Sequence, residues 1–566
     1  MNEVRSFSSL ERQSIFEGLG AHPYDLIVIG GGITGAGIAL DAITRGMKVL
    51  LVEMQDYAAG TSSRSTKLVH GGLRYLKQLE VGMVAEVGKE RAVVYENGPH
   101  VTIPEWMLLP IHKGGTFGKF STSIGLMVYD FLAGVKRSER RVMLSPVQTL
   151  LREPLLKADG LLGAGYYVEY RTDDARLTLE VLKEAAARGA VLLNYAKAER
   201  LNYDANGRIA GITVRDMISG QTRDVSGLKV VNAAGPWVDQ IREMDRSRKG
   251  KQLQLTKGVH LVIDQSKFPL KQAIYFDTPD GRMVFAIPRS GKTYVGTTDT
   301  VYTDDPASPH IYEEDRDYIL RAIHYMFPEV QLTAADVESG WAGVRPLILE
   351  EGKSPSEISR KDEIWESPSG MITIAGGKLT GYRKMADTVV NLVAAKIREA
   401  GGPAFGECQT RHMPISGGHV GGSAGFADYV REQTEIAAAQ GIDRKLAEQW
   451  VQTYGSNAPV LYELAQELAE QSMGEGPHKA TPLPDAVLVP LVYAIRHEMA
   501  CKPTDFFIRR TASLLFDISW TQKWKEPVID YMASVLNWSD QEKEQHASEL
   551  EQEIERATQP QTRPQL

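Results

Sequence analysis

Cysteine is scarce in this sequence, and its scarcity excludes two classes of protein. The chain of 566 residues contains 2 cysteines, Cys408 and Cys501, which are far apart and lie in no C-x-x-C motif. Two cysteines are too few for a disulfide framework or for a cysteine-based metal site. The composition therefore indicates a reducing compartment, a core that needs no covalent cross-link and no bound metal.

Long hydrophobic runs and excess positive charge are also missing. The first 20 residues carry charges throughout and have no apolar centre, so they do not form a signal peptide. The longest uncharged stretch, LIVIGGGITGAGIAL (26–40), is too short and too rich in glycine to cross a bilayer. A net charge of −8 argues against bulk nucleic-acid binding. We therefore expect a cytoplasmic protein that binds no nucleic acid.

The glycine-rich stretch itself predicts a dinucleotide site. Two short apolar runs, DLIVIG (25–30) and KVLLVE (48–53), are typical of buried parallel strands, with a helix between them. Gly30, Gly32 and Gly35 have the G-x-G-x-x-G spacing, and Glu53 ends the second strand. These glycines allow a tight turn and close approach to a pyrophosphate, while the carboxylate accepts ribose hydroxyls.

Later segments favour FAD over NAD as the dinucleotide. The second strand leads into TSSRSTKLVHGGLRYL (61–76), whose hydroxyls and backbone N–H groups suit a long, extended cofactor. Two more buried strands end in small residues, in GLKVVNAAGPWVD (227–239) and GMITIAGGKLTGYRK (370–384). Segments that return to one cofactor from distant parts of the chain are the layout of an FAD domain interrupted by a substrate domain.

The interrupting domain is expected to be mainly antiparallel sheet. QLTKGVHLVID (254–264) alternates polar and apolar residues, and it places His260 on the same strand face as Gly258. MVFAIPRSGKTYVGTTD (283–299) predicts a hairpin that turns at residues 289–292. Arg345 precedes a proline, so we expect it to leave its strand.

Taken together, these motifs resemble those of the FAD-dependent glycerol-3-phosphate dehydrogenase family, which belongs to the wider glycine and D-amino acid oxidase type of flavoprotein. HGGLRYL (70–76) and GGKLTGYRK (376–384) are the most specific. The resemblance implies an α/β Rossmann-type FAD-binding domain interrupted by an α+β antiparallel-sheet substrate domain, followed by an all-α C-terminal domain. After an extension at 1–23, the first domain takes residues 24–94, 166–240 and 350–402. The second takes 95–165 and 241–349, and the third takes 403–566.

The resemblance also implies a reaction, the oxidation of sn-glycerol 3-phosphate to dihydroxyacetone phosphate by hydride transfer to non-covalent FAD. His260 is the candidate base, and Arg345 and Lys378 are the other catalytic candidates. Because planar guanidinium groups bind phosphate oxygens in pairs, Arg345 and Arg360 are the phosphate candidates, with Arg74 and Tyr75 also facing the substrate. The predicted cofactor contacts are Gly30, Gly32, Gly35, Glu53, Thr61, Ser62, Ser65, Lys67, Leu68, His70, Gly71, Ala198, Gly235, Gly377, Lys378, Leu379 and Thr380.

The electron acceptor implied by the family is membrane quinone, which needs peripheral contact with the inner face of the plasma membrane. Residues 112–141 place an apolar stretch between basic flanks and predict an interfacial helix, or alternatively a helix packed on the substrate domain. Arg509 and Arg510 form a second basic candidate.

Three rival functions stay open at this point. They are a glycerol-3-phosphate oxidase that uses oxygen, a flavin-binding sensor without turnover, and an amine or amino acid oxidase. The last would leave the arginine set and the C-terminal domain unexplained. The oligomeric state is open as well, with a homodimer as one option.

Overall fold

The computed structural model describes residues 7–69, 81–116, 118, 139–350, 362–472 and 483–563. The strands are β1 (Tyr24–Ile29), β2 (Val49–Val52), β3 (Leu68–Val69), β4 (Thr102–His112), β5 (Val142–Leu144), β6 (Leu161–Thr172), β7 (Val191–Leu193), β8 (Ala196–Tyr203), β9 (Ile209–Asp216), β10 (Thr222–Asn232), β11 (Lys251–Asp264), β12 (Ala273–Asp277), β13 (Met283–Arg289), β14 (Lys292–Gly296), β15 (Thr300–Val301), β16 (Val337–Glu350), β17 (Glu363–Glu366) and β18 (Ile372–Ala375).

The helices follow in the same way. They are α1 (Arg12–Glu17), α2 (Ile33–Thr44), α3 (Val81–Asn97), α4 (Pro146–Arg152), α5 (Asp174–Ala187), α6 (Val238–Met244), α7 (Glu313–Met326), α8 (Tyr382–Glu399), α9 (Gly422–Ala439), α10 (Arg444–Tyr454), α11 (Ala458–Ser472), α12 (Asp485–His497), α13 (Ser513–Phe516), α14 (Ile518–Leu536) and α15 (Asp540–Thr558). No helix among the described residues combines the length and the apolar character that crossing a bilayer requires.

The first sheet brings the predicted cofactor segments to one edge. Its strands run in the order β17-β18-β10-β1-β2-β7, and the pairs from β18 to β7 are all parallel. Ile29 at the end of β1 pairs with Asn232 at the end of β10, and Val231 pairs with Ile372 in β18. The turns after β1, β10 and β18 therefore lie side by side, although more than 300 residues separate the first from the last. A ligand crevice is expected at such carboxyl ends in an open α/β sheet.

The second sheet is the predicted interruption. It runs β15-β11-β14-β13-β12-β4-β6-β3, with β16 beside β11 and β5 beside β6. The hairpin predicted at residues 289–292 is confirmed, because Arg289 pairs with Lys292. Most pairs are antiparallel, but β12 and β4 run parallel. One face is covered by α7, whose Ile319 and Ile323 are fully buried with Phe268. The other face lies toward the first sheet.

Two details of this sheet differ from the sequence analysis. β6 crosses the boundary predicted between residues 165 and 166 and stays in the second sheet as far as Thr172. The division into domains otherwise remains a prediction. The expectation that Arg345 leaves its strand is wrong, since β16 continues through Arg345 and Pro346, paired with Thr256 and Leu255 of β11. Among the described strands β16 pairs with β11 alone, and an edge strand tolerates a residue without an N–H group.

The C-terminal helices join the first sheet through buried charges. Arg509 and Arg510 end a π-helical segment, Asp505–Arg510, and both guanidinium groups bind Asp56, which follows β2. Arg510 Nη1 lies 2.6 Å from Asp56 Oδ2, and the two side chains are almost completely buried. The interpretation of Arg509 and Arg510 as a lipid-facing basic cluster is therefore wrong. Their charge is neutralised inside the protein, where it connects two parts of the chain.

Candidate active site

One cavity of about 600 Å³ lies between the two sheets. Its walls come from the turns after β1, β10 and β18, from residues 60–68, and from β11, β13 and β16 of the second sheet. Among the predicted site residues, those that border it are Gly32, Thr61, Ser62, Ser65, Leu68, Gly235, His260, Arg345, Gly377, Lys378, Leu379 and Thr380. The structure therefore brings together residues that are more than 300 positions apart in the sequence.

The glycine turn after β1 is required by backbone contacts. Gly30 has φ of 116°, and a Cβ atom there would lie 2.5 Å from the carbonyl oxygen of Ala233. A Cβ atom on Gly35 would lie 1.9 Å from the carbonyl oxygen of Gly30. Neither glycine borders the cavity, so their role is to let β1, α2 and β10 approach. Gly32 does border it, at the N-terminus of α2, where helix N–H groups favour an anion.

Glu53 holds the same turn from the side. Its two carboxylate oxygens accept the N–H groups of Gly31, at 2.7 Å, and Gln55, at 2.8 Å. Burial raises the pKa of Glu53, and the two backbone hydrogen bonds oppose that rise. A carboxylate has about four lone-pair positions, so these bonds leave acceptor capacity for ribose hydroxyls.

Two predicted cofactor residues point elsewhere. Lys67 is buried, and its Nζ lies 2.6 Å from Asp174 Oδ1 and 3.0 Å from the carbonyl oxygen of Ser63. Its backbone φ of 57° turns the side chain into this ion pair and away from the cavity. Ala198 lies on β8, in an antiparallel pair with β9, and does not border the cavity either. His70 and Gly71 lie outside the described residues.

The substrate end of the cavity contains a clamped histidine. His260 lies on β11 between Gly296 of β14 and Trp341 of β16, which are its cross-strand neighbours. Its ring stacks on Trp341, with 4.7 Å between ring centroids and 11° between planes. Its Nε2 lies 3.0 Å from Thr66 Oγ1. Burial, together with the positive charges of Arg345 and Lys67, holds the pKa of His260 well below its usual range. The imidazole is therefore neutral.

Arg345 lies four positions along β16 from Trp341, and its side chain reaches Gly258, two positions from His260 on β11. Its Nη2 donates to Thr297 Oγ1 at 2.9 Å, and its Nη1 lies 3.4 Å from Asp299 Oδ1. About a third of the side chain is exposed to the cavity and solvent. A Cβ atom on Gly258 would lie 2.5 Å from Nη2, so the guanidinium packs closely against the bare backbone there.

Sequence reasoning missed two residues at this end. Arg64 borders the cavity and donates to the carbonyl oxygen of Ala307 over 3.4 and 3.5 Å, while burial lowers its pKa. Thr66 borders the cavity as well. Both lie in TSSRSTK, but spacing alone does not show which side chains of an irregular segment face the ligand. Arg74, Tyr75 and Arg360 lie outside the described residues.

Fold and site together define a flavin-dependent oxidoreductase with an added helical domain. Residues 25–382 match the FAD dependent oxidoreductase family, and residues 408–543 match the C-terminal domain of alpha-glycerophosphate oxidase. The chain belongs, more narrowly, to the family of aerobic glycerol-3-phosphate dehydrogenases. The resemblance and the fold class predicted from the sequence are thereby confirmed.

Relatives support this placement over nearly the whole chain. The aerobic glycerol-3-phosphate dehydrogenase of Bacillus subtilis (strain 168) is 60% identical over 544 residues, which are 96% of this chain and 97% of the relative. That of Staphylococcus epidermidis is 59% identical over 553 residues, which are 98% of each chain. A crystal structure of glycerol-3-phosphate dehydrogenase from Bacillus halodurans complexed with FAD is similar with a TM-score of 0.85 and 48% identity. It covers 99% of this chain and 100% of that one.

Proposed function

We propose that the protein oxidises sn-glycerol 3-phosphate to dihydroxyacetone phosphate with bound FAD and passes the electrons to membrane quinone. One observation carries the proposal. A single cavity joins a dinucleotide turn at one end to a neutral histidine and a guanidinium group at the other. FAD, when bound, accepts the hydride from C2 of the substrate.

The residues fit this cofactor. The N-terminus of α2, capped by Gly32, favours the pyrophosphate, and the carboxylate of Glu53 keeps acceptor capacity for ribose hydroxyls. Lys378 and Thr380 follow the paired glycines after β18 and begin the turn into α8, where donors and positive charge stabilise a reduced, anionic ring. Neither Cys408 nor Cys501 borders the cavity, which supports non-covalent binding.

The substrate contacts follow from charge and geometry. Arg345 presents a fixed guanidinium group, and Arg64, which packs against Gly343 of the same strand, adds a second cation at the cavity. A substrate that carries a dianionic phosphate is favoured here, whereas a neutral polyol is not. His260 accepts the proton of the substrate hydroxyl. A phosphate near Arg345 offsets the positive charge that depresses the pKa of His260, so substrate binding itself makes this base stronger.

Contact with the membrane would deliver the electrons. The apolar stretch predicted to lie on lipid falls within residues 112–141, most of which lie outside the described residues. A few residues later in the sequence, Val147 and Leu151 on α4 are 69% and 74% exposed. These exposed apolar side chains support peripheral contact with the inner face of the plasma membrane. Alternatively, the same surface would form the interface of a homodimer.

The test is anaerobic titration of the purified protein with glycerol 3-phosphate. We expect the visible absorbance of the oxidised flavin to bleach with one substrate per flavin. Glycerol at the same concentration is the control and should leave the colour unchanged. Re-oxidation by a soluble quinone much faster than by oxygen would support the dehydrogenase, and the reverse order would favour the oxidase. A flavin that glycerol 3-phosphate does not bleach would refute the proposal.

A further inference from the structure

His260 is held so tightly that its route to the substrate is restricted. Trp341 covers one face of the ring, and a Cβ atom on Gly296 would lie 2.3 Å from its Cδ2. The side chain is 1% exposed. Since both neighbours belong to strands paired with β11, the ring borders the cavity but has little room to rotate.

The one polar partner of this ring among the described residues is the hydroxyl of Thr66. The distance from Nε2 to Oγ1 is 3.0 Å, and within the described part of the chain Nδ1 has no hydrogen-bond partner. Thr66 itself borders the cavity. A hydroxyl group has one proton to donate and two lone pairs to accept with, so it can donate to Nε2 while it accepts from a ligand.

The segment that carries Thr66 is fixed by the same aromatic residues that enclose the histidine. Tyr294 donates to the carbonyl oxygen of Thr66 at 3.1 Å, and Trp341 Nε1 donates to the carbonyl oxygen of Ser65 at 3.1 Å. Tyr294 and Trp341 also lie 6.5 and 4.7 Å from the imidazole, centroid to centroid. Thr66 and His260 are therefore oriented as one unit.

We propose that the Thr66 hydroxyl relays the substrate proton to Nε2 of His260. The inference rests on the proposed function. The substrate O–H bond breaks and its proton goes to Thr66 Oγ1, while the original Thr66 proton goes to Nε2. The C2–H bond breaks so that the hydrogen keeps both bonding electrons and is transferred as hydride to oxidised FAD. The substrate carbon becomes a carbonyl, FAD gains the two electrons, and the imidazolium later releases its proton to solvent.

Two substitutions at Thr66 distinguish the effect of its hydroxyl group from the effect of its side-chain volume. Thr66→Val keeps the volume and removes the hydroxyl, whereas Thr66→Ser keeps the hydroxyl and removes a methyl group. Flavin reduction is followed by anaerobic rapid mixing with saturating glycerol 3-phosphate. We expect Thr66→Val to be about a hundredfold slower, which is the usual scale of a lost acid–base contribution, and Thr66→Ser to stay within about threefold of native.

Further readouts exclude a merely structural effect. FAD content, melting temperature and the affinity for inorganic phosphate, measured from the flavin spectrum, should be the same in native protein and both variants. The reduction rate of Thr66→Val should rise with pH toward pH 10, because hydroxide replaces the missing relay, while the native rate is flatter. In mixtures of H2O and D2O the native rate should fall along a curve, as expected when two protons move together, and not along a line.

Each contrary result has a definite meaning. Thr66→Val reduced at the native rate would overturn the relay and leave direct contact between substrate and His260. Thr66→Ser as slow as Thr66→Val would also overturn it, because the hydroxyl would not be the cause. If Thr66→Val loses FAD, the native solvent-isotope curve decides alone, and a straight line refutes the relay. Native protein that glycerol 3-phosphate does not reduce would refute the proposed function, and the relay with it.

Discussion

Replacing Arg345 by lysine tests whether geometry, beyond charge, binds the phosphate. The guanidinium lies on the bare backbone of Gly258, and Thr297 Oγ1 fixes its orientation from 2.9 Å. Lysine keeps the positive charge, but its ammonium group is a single point that cannot present two parallel N–H groups to a phosphate. The same substitution leaves the space over Gly258 unfilled.

The expected loss follows from the contacts. A hydrogen bond to a charged group contributes about 1.5–3 kcal/mol, and Arg345→Lys removes about one such contact. At about 1.4 kcal/mol per factor of ten, the apparent affinity for glycerol 3-phosphate falls roughly ten- to hundredfold. Since the side chain is 33% exposed, solvent weakens the contact, and we expect the lower half of that range. Part of the loss should appear in kcat, because phosphate binding also positions C2.

The assay is steady-state turnover of glycerol 3-phosphate at matched FAD content. Arg431→Lys, at a 75% exposed side chain on α9, is the matched control and should change neither kcat nor KM. Gly258→Ala supplies an independent perturbation, since its Cβ displaces the guanidinium without altering any charge, and it should raise KM in the same direction. Arg345→Lys with native kcat and KM and full flavin content would refute the reasoning, and the search for the phosphate site would then begin at Arg64.

Four further predictions follow from other parts of the structure. Gly296→Ala should keep FAD but slow flavin reduction at least tenfold, because the new Cβ collides with His260; rapid mixing that shows native speed would mean that the ring moves freely. Arg510→Met should lower the free energy of unfolding by about 3–5 kcal/mol in urea, since it leaves a buried carboxylate short of a partner, whereas Arg444→Met at an exposed ion pair should cost less than about 1 kcal/mol. Burial, with Lys183 and Arg176 nearby, lowers the pKa of His100 to about 3, so the unfolded chain binds a proton below about pH 6.5 that the native protein excludes. Stability should thus fall by about 1.4 kcal/mol per pH unit below that point, about 2 kcal/mol at pH 5, and urea unfolding of His100→Phe should lack that component. Finally, precipitation with acid should release all the yellow colour, and colour retained in the pellet would contradict non-covalent binding.

The parts of this molecule that local sequence determines were predictable. The spacing of Gly30, Gly32 and Gly35 locates the turn, because the pattern of strand, glycines and helix is complete within one βαβ unit, although the contact that requires Gly30 comes from Ala233. The hairpin at residues 289–292 follows in the same way from alternation and a turn signal. In both cases, the evidence lies within about twenty residues of the feature that it predicts.

Side-chain direction in irregular segments was not predictable. Residues 61–67 carry only hydroxyl and basic side chains, and from the sequence all of them could reach a ligand. The structure sends Lys67 inward to Asp174, while Arg64 and Thr66 face the cavity. That choice depends on a left-handed backbone at Lys67 and on an acid more than 100 residues away. Arg509 and Arg510 were misread for the same reason, since Asp56 neutralises them across 453 and 454 residues.

This long separation has a consequence for biosynthesis. Asp56 leaves the ribosome early, and its partner Arg509 follows 453 residues later. At a synthesis rate of about 5–20 residues per second, the interval is roughly 20 to 90 seconds. During this interval the nascent chain contains Asp56 but not yet its two arginine partners. The cost of burying the carboxylate is therefore not yet offset. The first sheet therefore completes its packing only after Arg509 and Arg510 have been synthesised, and a product truncated before them exposes the unpaired acid to chaperones and proteases.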